Sequence, residues 1–282
     1  MLYQITDQKI TCYRVVLQEE EKSRATIEKY IRDVERLQRF LSGQQLSKAR
    51  LIEYKEFLCE KYEVSSVNSM LAAVNHYLGY IGKSEWKLKQ RKVQKLFFQN
   101  EEKELTRTEY FRLVQTANKQ GNQRLSLILQ TICTTGIRVS ELSFITMDAV
   151  KNGRAIIQNK GKRRVILLPR QLCQILSVYM KSQNRMEGEV FVTAGGKPVD
   201  RSNIWREMKS LCNAAGVEEE KVFPHNLRHL FARTYYTKEK DLSRLADILG
   251  HSNVNTTRIY TMENGMMHAR QMERLGLLVH TT

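Results

Sequence analysis

Apolar residues recur at helical spacing through the first 82 positions. Ile27, Tyr30, Ile31, Val34, Leu37 and Leu41 form one stripe across 22–43, with Gly43 placed to end it. Ser47 is placed to cap a helix running to Tyr62, with Leu51, Tyr54 and Leu58 on its inner face. Ser65 or Ser66 would cap the next, which carries Met70, Leu71, Val74 and Leu78 and meets Gly82 beyond. An earlier helix is expected over 7–20. Four short helices of this kind close into a small bundle, so 1–82 is expected to be one helical domain. The periodicity breaks over 83–104. There Lys87, Lys89, Arg91, Lys92 and Lys95 mark a basic linker.

A second domain is expected over 105–282. Thr106 and Glu109 have the spacing of a capping box for a helix over 107–118. A second helix over 122–134 turns Leu125, Leu129 and Ile132 inward, and Gly136 allows a tight turn after it. The runs 154–158 and 163–168 read as β-strands, and Gly161 between them suits a hairpin. A third strand is expected at 190–193, and helices at 170–181 and 203–214. Further on, His225 and Arg228 lie three apart and share one helix face. Asp241 is placed to cap the following helix and Gly250 to end it. A short helical pattern over 255–260 carries Tyr260. Met267, Met272, Leu275 and Leu278 then outline a last helix. The fold class expected is mainly α with a small antiparallel sheet (α+β). No run of about 18 apolar residues, the length that spans a membrane, occurs.

Charge narrows the partner. The net charge is +16. Residues 1–100 carry 18 basic against 12 acidic residues (+6) and the remainder 28 against 18 (+10), so both parts suit a polyanion. For any one of Arg24, Lys29, Arg32, Arg36 and Arg39 a solvated surface is the plainer reading. As a group they resemble a phosphate-tracking face. A membrane-surface role would need a basic amphipathic anchor, and none is evident. The five cysteines are scattered and form no CxxC pair. That pattern, with an N-terminus lacking an apolar signal segment, predicts a cytoplasmic protein without a zinc site.

The chemistry gathers in 224–260. Tyr260 offers a hydroxyl nucleophile, Arg228 a cation, and His225 and His251 two imidazoles. This set suits phosphoryl transfer, where catalysis is mostly positioning and charge stabilisation. Such a site also needs a second cation and a general acid. Arg138, in the run TGIRVSEL, follows the turn at Gly136 and is flanked by apolar Ile137, Val139 and Leu142. Zinc is a poor match: His225 and His229 lie four apart, but HNLRH lacks the glutamate of HExxH. No phosphate-binding glycine loop is present.

His225-Asn-Leu-Arg228, Leu249-Gly-His251 and Tyr260 nine residues later resemble the C-terminal signature of the tyrosine recombinases, or phage integrases, of Xer type. The resemblance adds Arg138 as the first arginine, Glu141 as its orienting partner, and Lys160 as the hairpin lysine. Lys162 is the alternative, because a turn's register read from sequence shifts by a residue or two. The implied roles follow. Tyr260 attacks a DNA phosphodiester to give a 3′-phosphotyrosyl bond, and His225 accepts its proton. Arg138 and Arg228 clamp the non-bridging oxygens, Lys160 protonates the leaving 5′ oxygen, and His251 hydrogen-bonds the phosphate. No cofactor or metal is implied. The implied partners are double-stranded DNA and further copies of the chain in a tetrameric synapse. An accessory or partner recombinase is compatible with the pattern. The C-terminal helix would dock on the neighbouring protomer, with packing in cis as the plainer option. A type IB topoisomerase-like relaxing enzyme and a catalytically silent DNA-binding regulator are the competing readings.

Overall fold

The computed structural model describes residues 3–92, 103–159, 162–193, 195–251, 253–257 and 273–274. The chain divides into two compact units, Met1–Lys95 and Leu96–Thr282.

The first unit is built from α1 (Asp7–Glu19), α2 (Arg24–Leu41), α3 (Lys48–Lys61) and α4 (Val64–Tyr80). Thr6, Ser23 and Ser47 cap the first three, each side-chain oxygen accepting from a first-turn N–H. The fourth departs from expectation. It starts behind Glu63, which makes no side-chain cap bond, and Ser65 and Ser66 lie inside its first turn. Val67 is fully buried, and the turn that carries it inward begins at Val64, with both serines already inside the helix. Tyr13, Leu17, Val34, Leu37, Leu51, Leu58, Leu71 and Val74 fill the core. Its aromatic edge is hydrogen-bonded: Tyr13 Oη lies 2.9 Å from His76 Nδ1, and Tyr3 Oη 2.9 Å from Tyr77 Oη.

The basic face of α2 is less uniform than its sequence suggests. Lys29 turns to buried Asp33 at 2.7 Å and to the Ser69 carbonyl. Arg36 lies against Met70 Sδ and over the Tyr62 ring. Arg24, Arg32 and Arg39 remain exposed.

Within the segment expected as linker, the described residues 83–92 lie along α3 and α4. Leu88 is buried in the first core. Asn75 exchanges two hydrogen bonds with the Leu88 backbone, and Asn68 does the same with Arg91. A carboxamide both donates and accepts, so each asparagine stands in for a strand partner. Residues 93–102 lie outside the described residues.

The second unit begins with α5 (Arg107–Lys119), opened by the reciprocal Thr106–Glu109 capping box. Then follow α6 (Gln123–Thr135), a 3₁₀ turn (Val139–Phe144) and α7 (Met147–Lys151). A hairpin, β1 (Arg154–Asn159) and β2 (Lys162–Leu167), pairs antiparallel from Arg154↔Leu167 to Asn159↔Lys162. Ala155, Ile157 and Ile166 point to the core, while Ile156 and Val165 face out. Helices α8 (Arg170–Ser182) and α9 (Arg201–Ala215) follow, the latter started by Asp200 two residues earlier than expected. The last elements among the described residues are α10 (Pro224–Glu239), α11 (Leu242–Leu249) and α12 (Val254–Thr257). The expected third strand at 190–193 is absent among the described residues. Val190 and Phe191 are drawn into the helical core, and only isolated bridges form, Thr146↔Glu189 and Val192↔Pro198. The last helix expected from sequence lies outside the described residues except at Glu273 and Arg274.

Gly136 ends α6 in the left-handed region (φ +63°), and a Cβ there would meet the Phe231 ring of α10 at 2.5 Å. Gly121 shares the left-handed backbone (φ +72°) but faces open space. Gly121→Ala should therefore cost about 1–2 kcal/mol, from backbone strain alone. Gly136→Ala should add about 1–3 kcal/mol of overpacking. Denaturant unfolding of the two variants side by side checks this; equal losses would show that the ring yields freely.

Candidate active site

The turn after α6 places Arg138. Its backbone is extended, and its N–H donates to Glu141 Oε2 at 2.9 Å. Its Nη1 donates to Glu141 Oε1 at 3.0 Å. Glu141 is buried while the Arg138 side chain keeps 41% of its surface. One carboxylate thus holds both the base and the tip of Arg138 and leaves an edge of the guanidinium facing outward. This is the geometry expected of an orienting partner.

Arg228 sits one turn into α10, behind Pro224 at the first helical position. It is only 2% exposed. A buried cation is tolerated only where acceptors surround it. Here Nη1 donates to the Gly136 carbonyl, and Nη2 donates to the Leu249 carbonyl at 2.7 Å. The second acceptor belongs to the last turn of α11, where helical carbonyls lack partners and the dipole is negative. Arg228 therefore pins the ends of two helices to a third.

The same Nη2 lies 3.0 Å from His251 Nε2. A guanidinium only donates, so Nε2 accepts and the ring proton sits on Nδ1. Nδ1 is 2.8 Å from Thr257 Oγ1 and donates to it. Burial and then Arg228, Arg138, Arg164 and His225 push the His251 pKa down to about 4. The imidazole is neutral at physiological pH. Thr257 is fully buried in α12, three positions before Tyr260.

His225 opens the cleft side of α10. It retains exposed surface, yet the cleft wall strips part of its hydration. That desolvation first, then Arg228, Arg138 and Arg201, lowers its pKa. The cleft, of about 390 Å³, is lined by Arg138, Arg201, Trp205, Phe223, His225 and Arg228. No side chain caps the N-terminus of α10 here, so the positive end of its dipole adds to the potential of the cleft. The arrangement suits a phosphate: fixed positive charge, two neutral imidazoles and a helix N-terminus.

Four of the six residues expected at the site, Arg138, His225, Arg228 and His251, are thus described and gathered on this side of the second unit. Lys160 and Tyr260 lie outside the described residues. Sequence reading missed Arg164 and Thr257. Arg164 donates to Glu141 Oε2 and to the Ile248 and Leu249 carbonyls. Its signal was strand alternation: it shares the inward face of β2 with Ile166, and a charge on that face demands partners. Thr257 gave no local signal, because its role depends on His251 folding back onto it.

Burial and the neighbouring histidine and arginine charges also lower the His229 pKa to about 4. Both His229 and His251 titrate near 6.5 when unfolded. Their depressed folded values mean the unfolded chain binds more protons between those limits. The stability they contribute is complete above about pH 6.5 and is lost as pH falls toward 4. Wild-type unfolding midpoints should drop between pH 7 and pH 4.5, and His251→Gln should flatten the slope. Denaturant titrations at several pH values test this, and an unchanged slope would contradict the assignment.

The chain was compared with known proteins. Residues 103–266 match the model of the phage integrase family, and residues 10–84 match the phage integrase N-terminal SAM-like domain. Tyrosine recombinase XerD of Vibrio cholerae is 27% identical over 84% of this chain and 85% of its own length. Tyrosine recombinase XerA of Thermococcus kodakarensis is 30% identical over 77% of each. Among solved structures, XerH site-specific recombinase bound to a palindromic difH substrate superposes with a TM-score of 0.73 at 19% identity, covering 97% of this chain and 90% of that one. A lambda integrase dimer bound to a core site gives 0.73 at 16% identity, covering 92% and 95%. With a family model spanning more than half its length and the Arg138, His225, Arg228 and His251 geometry in place, the chain belongs to the phage integrase family and is a tyrosine recombinase of Xer type.

Proposed function

We propose that this protein cuts and rejoins DNA at specific sites through a 3′-phosphotyrosyl intermediate. The convergence of Arg138, His225, Arg228 and His251 carries the reading, and the names of the curated relatives support it. Tyr260 Oη attacks the scissile phosphorus and the P–O5′ bond breaks. The phenol, with an ordinary pKa of about 10, gives its proton to His225. Lost hydration first and then the surrounding arginines depress His225 before DNA arrives, and the phosphate charge offsets the arginines. Lys160 protonates the departing 5′ oxygen. Arg138 and Arg228 stabilise the charge growing on the non-bridging oxygens. Arg228 is already oriented by protein carbonyls and needs little reorganisation to do so. His251 turns its Nε2 edge from Arg228 to the phosphate; Thr257 accommodates the change of tautomer, because a hydroxyl can donate as well as accept. Two arginines and a lysine supply the positive charge that other phosphoryl-transfer sites take from a metal. Rejoining reverses the steps, with the bond energy kept in the phosphotyrosine.

The partner in this reading is duplex DNA in the cytoplasm. The domain at 1–82 and the catalytic domain at 105–282 grip it, with the basic segment 83–104 near the phosphates. Strand exchange requires further copies of the chain, arranged as a tetrameric synapse with or without an accessory recombinase. The segment after Tyr260, with Met267, Met272, Leu275 and Leu278, docks on the neighbouring protomer. The lambda integrase structures of a dimer on a core site and a tetramer on a Holliday junction support this assembly by analogy of fold.

Tyr260→Phe should bind DNA within about twofold of wild type, since one hydroxyl is a small part of a mainly electrostatic interface. It should form no covalent adduct on a nicked suicide substrate, in EDTA and without nucleotide. A Tyr260→Phe protein that still becomes linked to DNA would remove Tyr260 as nucleophile. Deleting 265–282 should spare binding to one half-site but reduce cooperative binding to a full site and strand exchange. Gel-shift and recombination assays read both, and synapsis equal to the full chain would place that segment in cis.

A further inference from the structure

Arg164 is outside the six site residues, yet it bonds to a partner of each half of the phosphate clamp: the carboxylate that holds Arg138 and the carbonyl that holds Arg228. Its Nη2 donates to Glu141 Oε2, on the carboxylate whose other oxygen holds the Arg138 tip. Its Nη1 donates to the carbonyls of Ile248 and Leu249, which end α11 directly before the turn to His251. Only 16% of its side-chain surface is exposed. Three elements therefore meet on one guanidinium: the turn after α6, strand β2 and the end of α11.

Gly250 records how closely this side chain is built in. It closes α11 in the left-handed region (φ +65°). A Cβ there would meet Arg164 Cδ and Nη1 at 2.6 Å. Left-handed backbone alone accounts for a glycine, but the crowding shows that Arg164 also takes up the space glycine leaves. Arg228 reaches the same Leu249 carbonyl from the opposite element. The α11 terminus is thus gripped by two arginines, and the position of His251 follows from both.

We propose that Arg164 is a positioning residue for the phosphate clamp: it fixes Arg138 through Glu141 and His251 through the Leu249–Gly250 turn. The proposal rests on the strand-cleavage reading above. Lysine cannot replace it, because an ammonium lacks the planar fork that reaches a carboxylate and a carbonyl together. A misplacement of about 1 Å in such a clamp costs on the order of 10²-fold in rate.

The test compares full-length wild type with Arg164→Lys and Arg164→Ala for covalent-complex formation on three suicide substrates. One carries an ordinary scissile phosphodiester. One carries a methylphosphonate, which removes the negative charge of a non-bridging oxygen. One carries a 5′-bridging phosphorothiolate, whose sulfur leaves without a general acid. Wild type forming no adduct on ordinary DNA would overturn the cleavage reading itself, before any variant is compared. With wild type active, both variants should bind DNA within about twofold of wild type and cleave the ordinary substrate roughly 10- to 100-fold more slowly. That penalty should shrink on the methylphosphonate and persist on the phosphorothiolate. An equal penalty on all three substrates would mark a merely structural role. Relief on the phosphorothiolate instead would place Arg164 on the leaving-group side, and no penalty at all would end the proposal. Arg164→Lys, which keeps the charge and most of the side-chain volume, preserves the comparison if Arg164→Ala does not fold.

Discussion

The second unit depends on a buried cation. Arg228 is almost entirely removed from water, a placement that would be prohibitive without acceptors in fixed positions. The fold supplies them from the ends of two other helices, Gly136 after α6 and Leu249 in α11. Catalytic and structural demands are therefore met by the same contacts. In the proposed reaction, the residue that faces the phosphate with its charge fully formed is also the one that holds α6, α10 and α11 in register. Removing it would take the guanidinium donor from the Gly136 carbonyl and leave the Leu249 carbonyl to Arg164 alone, so a loss of activity on substitution would not by itself separate chemistry from folding.

Burial, and after it that concentration of positive charge, sets the state of the imidazoles. His225, His229 and His251 are all held below their ordinary pKa, by lost hydration first and by neighbouring charge next. A neutral imidazole is useful here, because a protonated one could not accept a proton from tyrosine. The same field weakens it as a base until a phosphate arrives. In the proposed reaction the bound diester brings a negative charge into the cleft and offsets the arginine charges around His225. On that reading, proton transfer to His225 is coupled to substrate occupancy through Coulomb's law.

Much of this was legible in the chain. Ser47, Thr106 and Asp241 announce helix starts, because a short polar side chain before an apolar stripe has few other uses. The hairpin followed from alternation and Gly161. His225, Arg228 and His251 could be picked out because the chemistry is packed into a short stretch. What failed had tertiary causes. The start of α4 is set by burial of Val67 rather than by the serines after it. The run at 190–193 has strand-like composition but is absorbed by the helical core. Lys29 and Arg36 belong to the basic stripe of α2 in sequence, but Asp33, Met70 and Tyr62 take them inward. Thr257 gains its role only once His251 folds back onto it.

The glycines show why motif and fold cannot be read apart. Gly136 precedes Arg138 by two residues, and Gly250 directly precedes His251. Each ends a helix in the left-handed region, which would suffice to explain a glycine. Yet at each the missing side chain is also space in use: the Phe231 ring fills one and the Arg164 guanidinium the other. Phe231 belongs to α10 and Arg164 to β2. The two turns that aim Arg138 and His251 are therefore molded by residues from elements that carry other parts of the site. A substitution at either glycine acts at a distance from its own backbone strain, because the neighbour it displaces is attached to the opposite wall of the clamp. Local turn chemistry says where such a chain bends; the packing partner decides how the catalytic side chain is aimed after the bend.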